Sequence, residues 1–555
     1  MDKWQGALKE TTHLFKMYQD GIDYQLKLGI REQIPNNIRF YEGKQWPRST
    51  ENTKNLPRPV INIVKMICRS KKSAILSTPV RIIYKSYTQN TNLSRFNSFA
   101  DNIFKDMGQE KLDRLAIDDG IKKGSYFYHY FWDKEASDIT GRQRGAVRCE
   151  LIDPLNIFFE NPSCLNEQMQ KWILIASFRH RADIFDISDK DISLSMSQIK
   201  EDENDDGTIT VFTRYFRIDG EVYCERGTKS HIINKPFPIA PQKAGFGTAL
   251  SKNPSKEWSE AKKKSTSEEI YYNLGKCCIR AGLYPIACGF YERREGSIYG
   301  ISEIEGIIPN QKAINFNIAM SLLNAQECAW GKYIALPNAL KGQKISNVPG
   351  QVLIDHTGTG EGIKRMDEQP LSEVPINISS SLIDITKKSC GVSEIMNGEL
   401  IWHNISGAAI AQLQAQAQLP IEELKSDFWD VKRKQGLIIA QFMKLYFYNR
   451  VFITKSEENG VEKDVFDTFS SEDYESSVFD VEVEVCGGVK ATVASDISVL
   501  DACLSSGSIS LEAYIKAYPD CAISNKTEIL KQLELERSSE VAKLKEELKL
   551  LKEKH

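Results

Sequence analysis

Residues 420–445 read PIEELKSDFWDVKRKQGLIIAQFMKL, and they carry the most regular pattern in the chain. Eight of them follow one another at alternating steps of three and four, which places them on one narrow face of a helix. Gln435 is the only polar member. Pro420 removes one helix hydrogen bond, so a kink is expected between it and the Ala/Gln-rich segment 408–418. The eight positions are Ile421, Leu424, Phe428, Val431, Gln435, Ile438, Phe442 and Leu445.

Length and composition predict several folded units. The 555 residues are 41% hydrophobic and 26% charged, which is ordinary globular usage. About three to five units are expected at roughly 100–200 residues per domain. No stretch approaches the roughly 18–20 uncharged apolar residues of a membrane span, and the start at Met1 lacks the apolar core of a signal peptide. The sequence therefore predicts a soluble protein made in a cytoplasm, with its twelve scattered cysteines reduced.

The charge of the chain is nearly balanced. Lys and Arg number 72 and Asp and Glu number 75, which gives a net charge of −3. Proteins hold DNA by neutralising phosphates with Lys and Arg, and this chain has no overall excess of either. Any contact with DNA is therefore expected to be weak, local or transient. Basic runs occur at 69–72, 262–264 and 432–434, and each is either a solvated face or a phosphate contact.

Residues 1–300 predict a mixture of helices and strands. An amphipathic helix from Ala7 to Ile30, interrupted near Gly21, opens the chain. Period-two runs then predict strands, joined by turns such as Asp219-Gly220. The three prolines of 235–241 are predicted to end this sheet. The fold class is therefore α+β, and the predicted strands are 80–84, 125–132, 147–152, 172–178, 209–218, 221–224 and, later in the chain, 479–485.

A long helix that Pro309 can start is predicted to carry two stripes. An apolar stripe follows steps of three and four along one face. Amide and hydroxyl side chains form a second stripe beside it, and residues 313–326 contain no charge, whereas a solvent-facing helix usually carries Lys and Glu. The alternative is a helix that is buried on most sides. The apolar stripe is Ile314, Ile318, Leu322, Ala325 and Ala329, and the polar stripe is Asn317, Ser321 and Asn324, with Gln326 nearby.

The rest of the chain alternates between helices and connecting segments. Residues 336–375 are rich in Gly and Pro and predict a small insert with a β-like piece at 352–354. After a helix at 376–390, the turn-prone segment 391–406 leads to the long helix. Segments of that length are often functional, although an ordinary helix-to-helix connection is the alternative. The tail predicts helices at 494–504 and 511–518 and another from 525.

Catalytic motifs are largely missing from the sequence. It has no Gly-x-x-x-x-Gly-Lys-Ser/Thr phosphate loop and no His-Glu-x-x-His helix, and the glycines of 358–362 have the wrong spacing for a dinucleotide loop. The best metal candidate is 202–207, DENDDG, which matches the opening of a calcium loop. Its twelfth position is Thr213 rather than Glu, and a strand follows, so an acidic hairpin turn is preferred. Neither an enzyme activity nor a metal or cofactor is predicted.

Four blocks of the sequence resemble the portal proteins of tailed bacteriophages, which form the head-to-tail connector ring. The first two read RFYEGKQWP at 39–47 and LPRPVINIV at 56–64. The third reads LIDPLNIFF at 151–159, and the fourth reads YGISEIEGIIPNQKAIN at 299–315. The resemblance covers roughly residues 38–490 and weakens in the C-terminal tail.

The resemblance implies the portal fold and a division of the chain. That fold has a mixed α/β wing, a two-helix stem, a small clip insert, a channel loop, a long kinked helix and a helical C-terminal crown. The implied bounds are 1–300 for the first part of the wing, 301–331 and 376–395 for the two stem helices, 332–375 for the clip, 396–406 for the channel (tunnel) loop, 407–490 for the long helix and closing strands of the wing, and 491–555 for the crown and tail.

The resemblance also implies a function. Similar proteins assemble twelve copies into a ring, through which double-stranded DNA is packaged into the capsid and later ejected. A neutral channel wall would let a charged polymer slide, because fewer ion pairs to phosphate mean weaker binding. The residues implied to line the channel are Asn317, Ser321, Asn324 and Gln326, and those at the tip of the channel loop are Trp402, His403 and Asn404.

The implied partners follow from that role. They are non-specific double-stranded DNA, a terminase motor and head-tail adaptor docked on the clip, and the capsid and scaffolding proteins, with no membrane. The ring would be assembled in the host cytoplasm and located at the portal vertex of the virion. Two other classes stay open. One is a capsid or tail-connector protein without a DNA channel, and the other is a packaging enzyme, against which the missing phosphate loop argues.

Overall fold

Antiparallel sheets and the helices packed against them make up the chain in the computed structural model. The predicted α+β class is confirmed. The structure describes residues 12–54, 56–86, 93–137, 141, 143–187, 200, 202–240, 282–329, 333–346, 352, 354–358, 361–365, 374–392, 407–447, 449–458, 461–474, 479–485 and 500–517.

Many helices and strands within these residues fall close to the predicted positions, but some have no predicted counterpart, such as the helices Ile30–Tyr41 and Arg181–Ile187 and the strands Ile286–Phe290, Arg450–Glu458 and Val461–Phe469. The helices are α1 His13–Lys27, α2 Ile30–Tyr41, α3 Ile63–Ile75, α4 Ser94–Asp106, α5 Gln109–Lys123, α6 Arg181–Ile187, α7 Glu303–Ala329, α8 Val374–Ser389, α9 Gly407–Tyr446 and α10 Leu511–Ala517. The strands are β1 Val80–Ser86, β2 Ser125–Asp133, β3 Ala146–Ile152, β4 Ile157–Phe159, β5 Trp172–Arg179, β6 Ile209–Ile218, β7 Glu221–Gly227, β8 Ile232–Pro238, β9 Ile286–Phe290, β10 Tyr333–Ala335, β11 Ile363–Arg365, β12 Arg450–Glu458, β13 Val461–Phe469 and β14 Phe479–Val485.

A five-stranded antiparallel sheet in the order β4-β5-β6-β7-β8 forms one part of the first 300 residues. The prediction that the prolines of 235–241 end this sheet is wrong, because β8 contains Pro236 and Pro238 and pairs with β7. β8 is an edge strand, and its pairing with β7 is irregular beside Arg226. Edge strands tolerate proline because one side of their backbone needs no partner.

A three-stranded sheet in the order β3-β2-β9 separates two cores. Tyr126, Tyr128 and Tyr130 of β2 lie in the larger core, together with residues of α9, whereas Phe127 lies in the core beside the five-stranded sheet. Strand residues alternate between the two faces, so β2 serves both cores at once. His129 joins the two sheets, because its ring nitrogens lie 2.8 Å from both Glu150 of β3 and Tyr215 of β6.

The predicted seam of the long helix is confirmed. Seven of its eight residues are buried, and Leu424 is half-buried against the larger core. α9 packs on β9, β14 and α3, which are far from it in the sequence. Pro420 lies inside α9, which is helical on both sides of it, and the kink stays a prediction.

Gly21 does not interrupt the first helix, so that prediction is wrong. α1 runs through Gly21, and the break falls at Gly29, whose positive φ of 73° favours glycine. A Cβ atom on Gly21 would lie 2.3 Å from Cδ1 of Phe158 in β4. The glycine therefore serves close packing of α1 on the sheet rather than a turn.

Gly21→Ala is expected to destabilise the protein by about 1–3 kcal/mol, because the new methyl group overpacks the Phe158 contact. Gly306 in α7 is the matched control, since nothing lies within 4 Å of its Cβ position. Gly306→Ala should instead stabilise by roughly 0.5–1 kcal/mol through helix propensity. Thermal unfolding of the two variants measures both effects, and shifts of the same sign would contradict the packing explanation.

Candidate functional site, a two-helix arm

Two helices and the hairpin between them form a unit that we call the arm, residues 303–389. Near the start of α7, Asn310 Nδ2 donates to Thr386 Oγ1 near the end of α8 at 3.0 Å, so the two helices run antiparallel. At the other end, Arg365 of β11 donates to the carbonyl of Cys328 at 2.7 Å. β10 and β11 pair antiparallel between the helices. The helices fall where the two stem helices are expected.

The start of the arm differs from the predicted one. α7 begins at Glu303, and Pro309 lies inside it rather than at its start. The side chain of Ser302 accepts from the backbone N–H of Ile304 at 3.1 Å, and Glu305 accepts from the N–H of Ser302 at 3.4 Å. This reciprocal arrangement resembles a capping box, with the Ser302 hydroxyl bonded to the second rather than the third residue of the helix, and the Ser-x-x-Glu pattern typical of it is present in the sequence.

The insert also differs from its predicted detail. The β-like piece at 352–354 is not part of a strand at its described residues. Val352 has no secondary structure and is 83% exposed, and Ile354 is exposed as well. The paired strands of the insert are β10 and β11, which flank its loop.

Two buried amides of α7 fasten the arm to the loop that precedes α3. Gln311 donates to the carbonyl of Ile61 at 2.7 Å and accepts from the backbone N–H of Ile63 at 3.0 Å. Asn315 Nδ2 donates to Gln45 Oε1 at 2.6 Å. Buried amides need such partners, because an unsatisfied one costs about 1–3 kcal/mol. The bonds therefore hold the two ends of this loop, at Gln45 and at Ile61–Ile63, along the first half of α7.

Two glycines bring the backbone just before the arm into contact with the backbone just before β2 of the three-stranded sheet. A Cβ on Gly124 would lie 2.6 Å from the carbonyl oxygen of Gly300, and a Cβ on Gly300 would lie 2.3 Å from that of Gly124. Gly124 ends α5 with a positive φ of 86°, which glycine adopts without strain. Ser125 Oγ accepts from the N–H of Gly300 at 2.7 Å beside this contact.

A buried ion pair holds the first residue of α7. Lys71 Nζ of α3 lies 3.2 Å from Glu303 Oε1, and the hydroxyl of Tyr291 donates to Glu303 Oε2 at 2.6 Å. Burial, together with the Glu303 carboxylate, raises the pKa of the Cys390 thiol to about 12. That thiol therefore stays protonated at neutral pH and behaves as a small apolar group.

The apolar stripe of α7 leaves the core halfway along the helix. Ile314 is fully buried and Ile318 packs against the larger core, but Leu322, Ala325 and Ala329 are exposed. The helix is therefore not buried on most sides, and its second half extends beyond the core.

The four residues implied to line a channel lie along this part of α7. Asn317, Ser321 and Asn324 are half-buried, and Gln326 is exposed. The hydroxyl of Ser321 donates to the carbonyl of Asn317 at 2.8 Å within the helix. The polar stripe is thus present on the surface of one subunit. Its role as a channel wall stays a prediction.

Exposed apolar side chains concentrate on the arm. Nearly half of the large apolar side chains that are exposed in the described parts of the chain lie between residues 316 and 385. Soluble monomers rarely expose a large contiguous apolar area, and such areas mark interaction sites. Those on the helices are Phe316, Met320, Leu322, Val374, Ile376, Ile378 and Ile385, and those on the insert are Tyr333, Ile334, Leu336, Ile345, Val352 and Ile354.

The residues implied for the tip of the channel loop, Trp402, His403 and Asn404, lie outside the described residues, as does the basic run 262–264.

Two other basic runs are largely neutralised within the chain. In the run 432–434, Lys432 pairs with the buried Asp113, Arg433 lies 3.1 Å from Asp480, and Lys434 lies 2.9 Å from Glu167. In the run 69–72, Lys71 pairs with Glu303, and Lys72 lies 3.3 Å from Asp118. These five side chains already have carboxylate partners, so phosphate contact through them would require breaking an ion pair.

The calcium-like segment is a hairpin turn. Asp202 accepts from the hydroxyls of Thr228 and Ser230, and Arg181 binds Glu203 at 2.5 Å. Asn204 donates to Thr208 Oγ1. No group of three or more His, Cys, Asp or Glu in the described residues could hold a metal ion. The carboxylates serve the fold here, in agreement with the preferred interpretation.

Comparison with known proteins gives no family. No protein-family model matches the chain, and no curated protein matches it. Among the described residues, no helix is both long and apolar enough to cross a membrane.

Proposed function

We propose that this chain is a subunit of a portal ring at the portal vertex of a tailed bacteriophage, in which copies surround a channel for double-stranded DNA. The observation that carries the proposal is the arm, a pair of antiparallel helices that both expose several large apolar side chains. The resemblance of the sequence blocks supplies the expected number of twelve copies. In this role the chain performs no chemistry, and the terminase and adaptor dock on the insert.

The apolar side chains of the arm form two separate stripes. Phe316 and Met320 are one helical turn apart on α7, and Val374, Ile378 and Ile385 are spaced by four and seven on α8. Fully burying a side chain of this kind contributes roughly 1.5–3 kcal/mol. Because a head-to-tail contact joins two different surfaces and can close into a ring, the α7 stripe of one copy would pack on the α8 stripe of the next.

The lack of charge in residues 313–326 of α7 supports a channel over a plain structural contact. Residues 313–326 carry no charged side chain, and the half-buried amides lie beside the apolar stripe. A capsid or tail-connector protein without a channel also needs an oligomeric contact, but it has no need of a neutral helix. The two functions differ in whether the assembly has a central hole.

Electron microscopy of the negatively stained protein tests the proposal. We expect rings with a central hole, and native mass spectrometry should give about 760 kDa for twelve copies of a 63.0 kDa chain. ATPase and nuclease assays of the same sample should show no turnover. A monomer under all conditions, or clear turnover, would contradict the proposal, and closed assemblies without a hole would favour the structural alternative.

A further inference from the structure

Five basic side chains from three helices and a loop lie around the base of the arm. We call them the basic ledge. Arg39 comes from α2, Arg48 and Arg58 from the loop of residues 42–62, Lys65 from α3 and Lys312 from α7. Lys65 is half-buried and the others are exposed. The ledge is a feature of the folded chain, because Lys312 is far from the other four in sequence.

Ring contacts attach three of these cations to two successive residues of α2, and the loop carries the other two. Arg39 and Lys312 both lie over the Phe40 ring, at 5.8 Å and 5.6 Å from its centroid. Lys65 lies 5.7 Å from the centroid of the neighbouring Tyr41 ring. The loop is fastened to α7 beside Lys312 through the two buried amides of that helix, and within the loop Arg58 donates to the carbonyl of Pro47, next to Arg48.

The ledge differs from the other basic clusters in its lack of acidic partners. None of its five cations has a carboxylate within ion-pair distance in the described part of the chain, whereas the runs 69–72 and 432–434 are largely paired. Of the acidic residues on the same loop, Glu42 is bound by Lys44 at 2.7 Å, and Glu51 is exposed. The surface therefore keeps a net positive charge that it can offer to a ligand.

We infer that the basic ledge binds the phosphate backbone of double-stranded DNA. The cations are spread over a surface built from α2, a loop, α3 and α7, which suits an extended polyanion better than one small anion. Three of them are arginines, which can form forked hydrogen bonds to phosphate oxygens. The inference rests on the proposed function, because a portal subunit is a protein that DNA passes.

The ledge and the arm would then do different things. The ledge supplies a few phosphate contacts per subunit at the base of the arm, and α7 beyond Lys312 supplies none, since it is uncharged as far as residue 326. Each phosphate contact strengthens binding and its salt dependence, so a few contacts per subunit give weak, reversible binding. DNA would be held locally without being arrested along the uncharged helix.

The salt dependence of DNA binding tests the inference. Wild-type protein in its assembled form is titrated into a labelled 30-base-pair duplex at several salt concentrations, and affinity is read by fluorescence anisotropy. The test variant is Arg39→Gln/Arg48→Gln/Lys312→Gln. The control is Lys105→Gln/Lys111→Gln/Lys134→Gln, which removes three exposed lysines away from the ledge. The slope of log K against log salt is negative. In the test variant its magnitude should decrease by about 0.9 for each phosphate that is no longer neutralised, and in the control it should stay unchanged.

Three outcomes would overturn the inference. One is an unchanged slope in a test variant that still forms rings. Another is an equal decrease of the slope in the control. The third is competition by poly-glutamate as effective as that by unlabelled duplex, which would indicate an acidic protein partner instead. If the triple variant fails to assemble, the single variant Arg48→Gln replaces it, because no described side-chain contact depends on Arg48. The magnitude of its salt-dependence slope should decrease by about one. Rings in the electron microscope, scored on the same samples, keep this result separate from a failure of the proposed function.

Discussion

Phe316→Asp/Ile385→Asp is expected to abolish ring assembly while leaving the subunit folded. The two side chains are 52% and 56% exposed in the single chain, so the substitution costs the subunit little. In the assembled ring each carboxylate would be buried in an apolar contact, and an unpaired buried charge costs several kcal/mol. Since about 1.4 kcal/mol is a tenfold change in affinity, association should weaken by at least about a thousandfold. Size-exclusion chromatography with light scattering measures the outcome.

A matched pair of substitutions separates the arm from exposed apolar residues in general. Phe178 and Leu115 are 54% and 46% exposed and lie outside the arm. Phe178→Asp/Leu115→Asp should therefore leave the rings intact, and circular dichroism should show native folding in both double variants. Rings that survive the arm substitutions would show that the arm does not carry the contact between subunits.

The second large effect is expected away from the arm, at the buried pair of Lys432 and Asp113. Lys432 belongs to α9 and Asp113 to α5, and both are almost fully buried. Asp113 also accepts hydrogen bonds from Tyr128 at 2.8 Å and Gln109 at 3.0 Å. Lys432→Met leaves the carboxylate buried without its cation, so the free energy of unfolding should fall by about 3–5 kcal/mol. Chemical denaturation followed by circular dichroism gives this value.

The neighbouring residue supplies the control. Arg433 pairs with Asp480 on the surface, where ion pairs contribute about 0–1 kcal/mol, so Arg433→Met should change stability little. Adding Asp113→Asn to Lys432→Met should recover part of the stability, because the unpaired charge is removed. Equal effects of Lys432→Met and Arg433→Met would show that burial of the pair has no energetic consequence.

Elements with strong local periodicity could be predicted from the sequence. The seam of α9 and strands such as β6 and β14 lie where the apolar pattern predicts them, because burial of one face leaves a repeating pattern in the sequence. The hairpin of β12 and β13 is not among the predicted elements. The two strands flank Asn459-Gly460 in the sequence, and that dipeptide is a strong hairpin signal.

Contacts between distant residues could not be predicted in the same way. The run 432–434 looks like a cationic patch in sequence, and only the fold shows that Asp113, Asp480 and Glu167 neutralise it. The basic ledge is the opposite case. Its residues are far apart in the sequence, so they form no basic run that would indicate a cationic surface. For the arm, the sequence places both helices but does not reveal that the exposed half of α7 is chiefly apolar.

The mutual contact of Gly124 and Gly300 predicts a sequence signature that can be searched for in homologous proteins. Neither position can accept even a methyl group while the two main chains stay this close, and relieving one position alone would not relieve the other. Descendants of a common ancestor that keep this junction must therefore retain both glycines together, however far the rest of their sequences have drifted. Two glycines retained together at these positions would therefore identify distant homologues whose overall sequence similarity is too low to reveal them.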